Sequence, residues 1–172
     1  MKEYFLERGE LVNRTILERP FICSEKFQEV HSSVTLVTQD VSIFYNGGFL
    51  LLERDNFPEK KSWWPVGGLV YRGVPLIESL KRKVKEECNL EISRIKEIGF
   101  GRTVFKTDPF GHGRGTDTIS IMYYAKGSGE VKLDALHSDY KIVNLDEYRA
   151  IKGSLHPYVQ NIMDMSFTLV QS

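Results

Sequence analysis

The stretch from Trp63 to Leu90, WWPVGGLVYRGVPLIESLKRKVKEECNL, constrains this chain more than any other. It opens with two aromatics and a Pro-Val-Gly-Gly turn and then becomes a helix of two characters. Leu76, Leu80, Val84 and Cys88 recur every four residues, which lays them on one stripe to be buried. Glu78, Arg82 and Glu86 form a second row, and Lys83 with Glu87 a third. As solvated pairs, Glu78 with Arg82 and Arg82 with Glu86 would each add only about 0.3 kcal/mol, so this charge can serve solubility alone. Gly67 and Gly68 upstream argue for more, because glycines let a backbone carbonyl approach an ion or phosphate where a side chain would block it. Loop and charged face together suggest one site.

Length and composition bound what that site can serve. With 172 residues, 41% of them hydrophobic, the chain has room for one compact domain, set at 24–172, preceded by an accessory arm over 1–23. Lys plus Arg equals Asp plus Glu at 23 each, so no global basic field recruits nucleic acid and any recognition of phosphate is local. Cys23 and Cys88 are too few for a disulfide framework or a zinc site. The opening MKEYFLERGELVNR lacks the apolar core of a signal peptide, and no run approaches the roughly 18 apolar residues of a membrane span. A cytoplasmic protein without a membrane partner is expected.

Taken in order, residues 1–23 alternate apolar and charged positions around Phe5, Leu6, Leu11 and Ile16, interrupted at Gly9 and Pro20, and read as a helix or a dimer element. Ser24 is placed to cap a short helix, SEKFQEVHS, that buries Phe27 and Val30. Val34 to Tyr45, the turn Asn46-Gly47-Gly48 and GFLLLERD form a hairpin whose second strand ends at Arg54. Lys60 and Lys61 follow in a solvated loop. Glu91 to Phe105 reads as one or two strands broken near Gly99 and Gly101. KTDPFGHGRGTD is the loosest piece, a lid or a disordered connection with His112 and Arg114 exposed. Thr116 to Ala125 suits a central strand, Val131 to Leu133 a brief pairing, and Asp139 to Leu145 the last strand. Asn144 or Asp146 caps a helix, and HPYVQNIMDMSF closes the chain.

Gly68, Arg82, Glu86, Glu87 and Leu90 stand at the spacing of the Nudix box, and in these residues the chain resembles the Nudix family of hydrolases, which split a nucleoside diphosphate from a second group. It departs from the pattern at Val74 and Lys83, usually Glu, and at Asn89, usually Gly. The resemblance implies an α+β fold, a Nudix-like α/β/α sandwich around a mixed β-sheet. From Ser24 to Met163 the chain is similar to the GDP-mannose mannosyl hydrolase branch, through SEKFQEVHS, Asp40, FLLLER, GTD and LHSDY. That branch implies a homodimer that hydrolyses a nucleotide sugar by displacement at carbon, releasing an intact nucleoside diphosphate.

Such a leaving group gains negative charge, so cations are needed where it develops, and Arg54 and Arg82 are the candidates. Magnesium, or manganese in its place, needs only oxygen donors and water, and the resemblance implies Glu87 and the carbonyl of Gly67 as ligands, with Glu86 helping or holding Arg82. A Lys83 ammonium ~5 Å from such an ion would cost on the order of 6 kcal/mol at an effective dielectric of ~20, which favours one ion unless the side chain swings outward. His137 answers the branch's general base, a role suited to an imidazole pKa near ~6.5. Asp40 binds a sugar hydroxyl or closes a turn, and Phe27 lies against a base or in the core. His31 and His156 carry only structural readings. The apolar Leu69, Met122 and Leu136 replace an arginine, a tyrosine and a glutamine of the branch. Two further readings stay open: attack at phosphorus, and a nucleotide-sugar binding module without turnover.

Overall fold

A computed structural model of the chain describes residues 1–8, 10–11 and 23–171, so Gly9, Ile16 and Pro20 of the arm lie outside the described residues. Its first elements are two short antiparallel strands, β1 (Leu6–Glu7) and β2 (Glu10–Leu11), paired with Leu6 opposite Leu11, where the sequence reads as a helix or a dimer element. Helix α1 (Ser24–Ser33) follows. Ser24 is in its first turn rather than its cap, since Cys23 stands at the N-cap, without a side-chain capping bond. The helix buries His31; Phe27 is half-buried and Val30 exposed.

The hairpin forms as its turn chemistry dictates. Strands β3 (Leu36–Tyr45) and β4 (Gly48–Arg54) pair antiparallel across Asn46 and Gly47, whose φ values of 48° and 88° are those a two-residue hairpin loop requires. Then come β5 (Trp63–Trp64), β6 (Val66–Leu69), α2 (Leu76–Cys88), β7 (Glu91–Phe105), β8 (Thr116–Ser128), β9 (His137–Val143), α3 (Leu145–Ile151) and α4 (Pro157–Gln171). The main sheet runs β5-β4-β3-β8-β7, with β6 also on β3 and β9 on β4. The β3–β8 pair is parallel and its other pairs are antiparallel, so the sheet is mixed.

Strand periodicity sends alternate side chains to opposite layers. Val41, Ile43, Leu50, Leu52, Ile121 and Tyr123 meet Leu80, Val84 and Cys88 of α2 on one face. Phe49, Leu51 and Met122 meet Tyr158, Val159, Ile162 and Met163 of α4 on the other. Leu80 and Val84 are wholly buried, each contributing about 1.5–3 kcal/mol.

Local chemistry ends the helices. Asn89 takes the left-handed conformation at φ 61° after α2, which its short amide tolerates better than other non-glycine side chains do. Asn144 caps α3 by accepting from Asp146 and Glu147, while Glu147 reaches back to the Asn144 N–H. Val131 to Leu133 form no strand; the N–H groups of Lys132 and Asp134 instead donate to the Cys88 and Glu87 carbonyls at 3.1 Å each, closing the end of α2. β7 is one continuous strand with register shifts before Lys96 and Gly99. Gly101 lies within it because a Cβ there would fall 2.4 Å from the Met122 methyl and 2.8 Å from the Tyr158 ring. Among the described residues no helix is long and apolar enough to cross a membrane.

Candidate active site

Above β6, between β4 and α1, a cleft of about 200 Å³ opens, lined among others by Phe27, His31, Asp40, Arg54, Gly67 and Gly68. Its floor depends on close approach. Gly67 pairs with Asp40 of β3, and a Cβ at 67 would stand 2.1 Å from Asp40 Oδ1 and 2.4 Å from the Gln39 carbonyl oxygen. Asp40 therefore closes no turn: it is buried in the middle of β3, where its Oδ2 accepts from Ser120 Oγ and, at 2.6 Å, from the Tyr158 hydroxyl. Burial pushes the Asp40 carboxyl up, opposed by those two hydroxyls and by Arg54.

Arg54, the last residue of β4, sits deep in this cleft with its guanidinium carbon 5.8 Å from the Trp64 ring centroid. Burial lowers its pKa, while Asp40, Glu87 and Glu59 act to raise it. Its Nε is buried without a hydrogen-bond partner. A buried donor left unpaired costs about 1–3 kcal/mol, so this is a site that an anionic ligand would complete.

Helix α2 presents Glu87 to the Gly67–Gly68 segment, with Glu87 Oε2 accepting from the Gly67 N–H at 3.1 Å. Burial pushes its carboxyl up to about 8, although Lys83 and the Gly67 N–H pull it down. Lys83 does not swing outward. Its methylenes lie along Gly68, at 3.5 and 3.6 Å from a Cβ built there, and its ammonium is 3.3 Å from Glu86 and 4.9 Å from the Tyr71 ring centroid. Glu86 accepts from the Tyr71 hydroxyl and from Lys83. Arg82 is exposed and paired with Glu78 one turn back, and the structure does not bring it into the cleft lining.

His137 opens β9, with its Cα opposite that of Arg54. Its Nδ1 stands 2.7 Å from Asp134 Oδ1, its side chain is 9% exposed, and it is not among the residues that line the cleft. Leu69 does line the cleft, Met122 is buried in the α4 layer and Leu136 is half exposed.

The piece 106–115 is wound on Asp108, whose carboxylate accepts from the N–H groups of Phe110, His112 and Gly113. His112 is consequently buried, against the expectation of exposure, and lies against His31. Phe27 packs edge-on to Phe110 with centroids 5.5 Å apart and turns toward the cleft. One sequence signal bears on this loop: Asp-Pro-Phe-Gly-His places an acceptor two residues before one N–H and four before another, the spacing of an Asx turn.

Residues 36–162 match the family model of the NUDIX domain, and the chain belongs to the Nudix hydrolase superfamily. The Low-salt glycan biosynthesis protein Agl8 of Haloferax volcanii is 27% identical over 145 residues, covering 83% of this chain and 89% of that one. Among solved structures, the MutT NUDIX hydrolase from Burkholderia pseudomallei superposes with a TM-score of 0.64 at 20% identity, over 77% of this chain and 98% of its own. The NUDIX domain of Shewanella oneidensis NrtR, solved with ADP ribose, gives 0.62 at 16% identity, over 87% and 99%. These likenesses share the fold.

Nudix enzymes generally use divalent metal ions, and the donors at this site fit one hard cation. Glu87 is a carboxylate whose pKa is raised by burial against the pull of Lys83, and it accepts from the Gly67 backbone N–H. Among the described residues no group of three or more His, Cys, Asp or Glu side chains is arranged to hold a metal, so an ion here would rest on one carboxylate, backbone oxygen and water. Lys83 already fills the neighbouring ground, where a second ion would be repelled.

Proposed function

We propose that the cleft hydrolyses a nucleotide sugar of the GDP-mannose type, cutting between the anomeric carbon and the diphosphate. Arg54 carries this reading: a half-buried arginine whose Nε is buried and unpartnered, lining a cleft that also contains aromatic rings, fits an anion attached to a ring system. Similarity to Agl8, whose name assigns it to glycan biosynthesis, supports a sugar-linked substrate. A single magnesium ion, or manganese, held by Glu87 and the Gly67 carbonyl would neutralise diphosphate charge. Glu86, engaged by Tyr71 and Lys83, steadies Lys83 rather than adding a ligand. Arg82 has no part in this reading.

The protein's own groups then divide the work. Arg54 orients the diphosphate and stabilises the charge it acquires on leaving. His137 does not line the cleft, but its strand pairs with that of Arg54, which does; Asp134 takes its Nδ1–H, which leaves Nε2 to accept a proton from a water entering beside Arg54. The water oxygen bonds to the anomeric carbon, the carbon–oxygen bond breaks with its electron pair going to the diphosphate, and free sugar and nucleoside diphosphate result. Asp40 at the cleft floor supports a role in holding a sugar hydroxyl, with Phe27 against the base. The exposed Tyr4, Leu6 and Leu11 of the N-terminal segment support a homodimer, which light scattering checks, and two free cysteines suit the cytoplasm.

Incubation with GDP-mannose and magnesium tests the reaction. GDP plus mannose is expected, with His137→Gln lowering the rate at least about 100-fold. GMP plus mannose phosphate would instead mean attack at phosphorus. Saturable binding without either product would mean a binding module, a reading that the apolar Leu69 in the cleft favours.

A further inference from the structure

Where α1 meets the loop 106–115, two histidines with no part in that chemistry are buried against each other. His31 Nδ1 lies 2.8 Å from His112 Nε2, with His31 7% exposed and the His112 side chain likewise 7%. Their neighbours fix the protons. The backbone N–H of Arg114 donates to His112 Nδ1 at 3.1 Å, so in the neutral ring the proton sits on Nε2. Asp108 Oδ2 is 3.5 Å from that Nδ1, too far for a competing hydrogen bond, and its carboxylate already accepts three backbone N–H groups. His112 Nε2–H therefore donates to His31 Nδ1, and His31 must carry its own proton on Nε2.

That Nε2–H lies on the ring edge turned away from His112, and His31 lines the cleft. Among the described residues it has no protein acceptor, and it is not sealed off from solvent. Burial and the neighbouring His112 hold the His31 pKa below its ordinary value, so the ring stays neutral and keeps its polarity at neutral pH. Phe27 stands edge-on to it at 6.2 Å between centroids, and Phe27, Leu36 and Pro109 also line the cleft. A planar base can stack on such rings.

We infer that His31 is a specificity residue, donating its Nε2–H to an exocyclic oxygen on the edge of the ligand's base. This rests on the nucleotide reading above and adds to it the class of base. A donor whose direction is fixed by two further residues cannot turn to accept, so a base presenting an amino group at that point would leave two N–H groups facing each other. The ligands favoured are 6-oxo purine or 4-oxo pyrimidine nucleotides over their amino counterparts.

The test measures binding of the full chain to inosine and adenosine diphosphates, and to uridine and cytidine diphosphates, each pair differing at that ring position. The oxo member of at least one pair is expected to bind about tenfold tighter or more, a difference of about 1.4 kcal/mol. His31→Phe keeps a flat ring but no N–H, and should shrink the preference to below about twofold, while His31→Gln retains part of it. Equal affinities within both pairs overturn this inference alone, as does a preference that survives His31→Phe. No binding by any of the four overturns it together with the nucleotide reading. Should the Phe variant fail to fold, nitrogen-15 NMR of the wild-type ring decides: a proton on Nδ1 of His31 instead of Nε2 overturns the assignment.

Discussion

At one end of the cleft stand Arg54 of β4 and Gly67 of β6, with Glu87 of α2 bonded to the Gly67 N–H, each fixed because the element carrying it packs into the core. At the other, His112 is held by irregular chain gathered on Asp108, and its partner His31 lies 81 residues away in the sequence. The first end collects charge and leaves it incompletely compensated: an unpaired Arg54 Nε and a Glu87 carboxyl pushed up to about 8. The second satisfies its polar groups internally and offers one oriented N–H. Charge held in tension suits a ligand that brings the opposite charge; a satisfied network suits discrimination by shape and hydrogen bonding.

The largest expected effect follows from removing the charge at the first end. Arg54→Met should lower kcat/KM by about 100- to 1,000-fold, the loss typical of deleting a preorganised group that faces developing charge. Arg54→Lys should recover little, because an ammonium lacks the planar fork. Both proteins should melt cooperatively, since the ligand and not the fold completes this guanidinium. Turnover within tenfold of wild type would place the diphosphate elsewhere and erase the contrast between the two ends.

Glu87 gives the next largest effect. Burial raises its pKa from the ordinary 4.5 to about 8 in the folded chain, so the stability it confers is full below about pH 4.5 and is lost as pH rises through about 8. In EDTA, stability should decline across that window by an amount of order 5 kcal/mol at most, since each tenfold change in proton affinity is worth about 1.4 kcal/mol. Glu87→Gln should flatten the decline, and magnesium should restore wild-type stability at the alkaline end, because it binds only the ionised carboxylate. Parallel wild-type and Glu87→Gln melting curves in EDTA would show that this carboxyl is already compensated, and the fit to a cation would be lost with it.

The first end is also the one legible in the sequence, and the reason is range. The spacing of Leu80, Val84 and Cys88 fixes which face of α2 is buried, and with it the direction of Glu87; Asn46-Gly47 fixes the hairpin that ends at Arg54. Each is a local pattern with a period. Lys83 is legible as a charge beside the site but not in its orientation, which depends on Tyr71 and on the space that Gly68 leaves open. The pattern around His31 puts it on a helix but not in the cleft, because what brings it there is His112, a residue of a loop with no periodicity. A turn at Asp40 is as good a reading of its neighbours as a strand, since the Ser120 and Tyr158 hydroxyls that hold it come from β8 and α4, far along the chain.

The smallest effect separates the ends by locality. Asp108 organises its loop by accepting three backbone N–H groups, yet the loop adds little to either core layer, and the sheet and α2 do not lean on it. Asp108→Ala should therefore leave the global melting temperature nearly unchanged, while the amides of Phe110, His112 and Gly113 lose their acceptor and exchange with solvent at least about tenfold faster. Because His112 then has no fixed backbone to hold it against His31, selectivity among bases should weaken with hydrolysis of the preferred substrate little changed at saturation. If instead the whole protein melts lower and exchange rises throughout, the loop is part of the cooperative core, and the division between a charged end built on regular elements and a neutral end built on a turn does not hold.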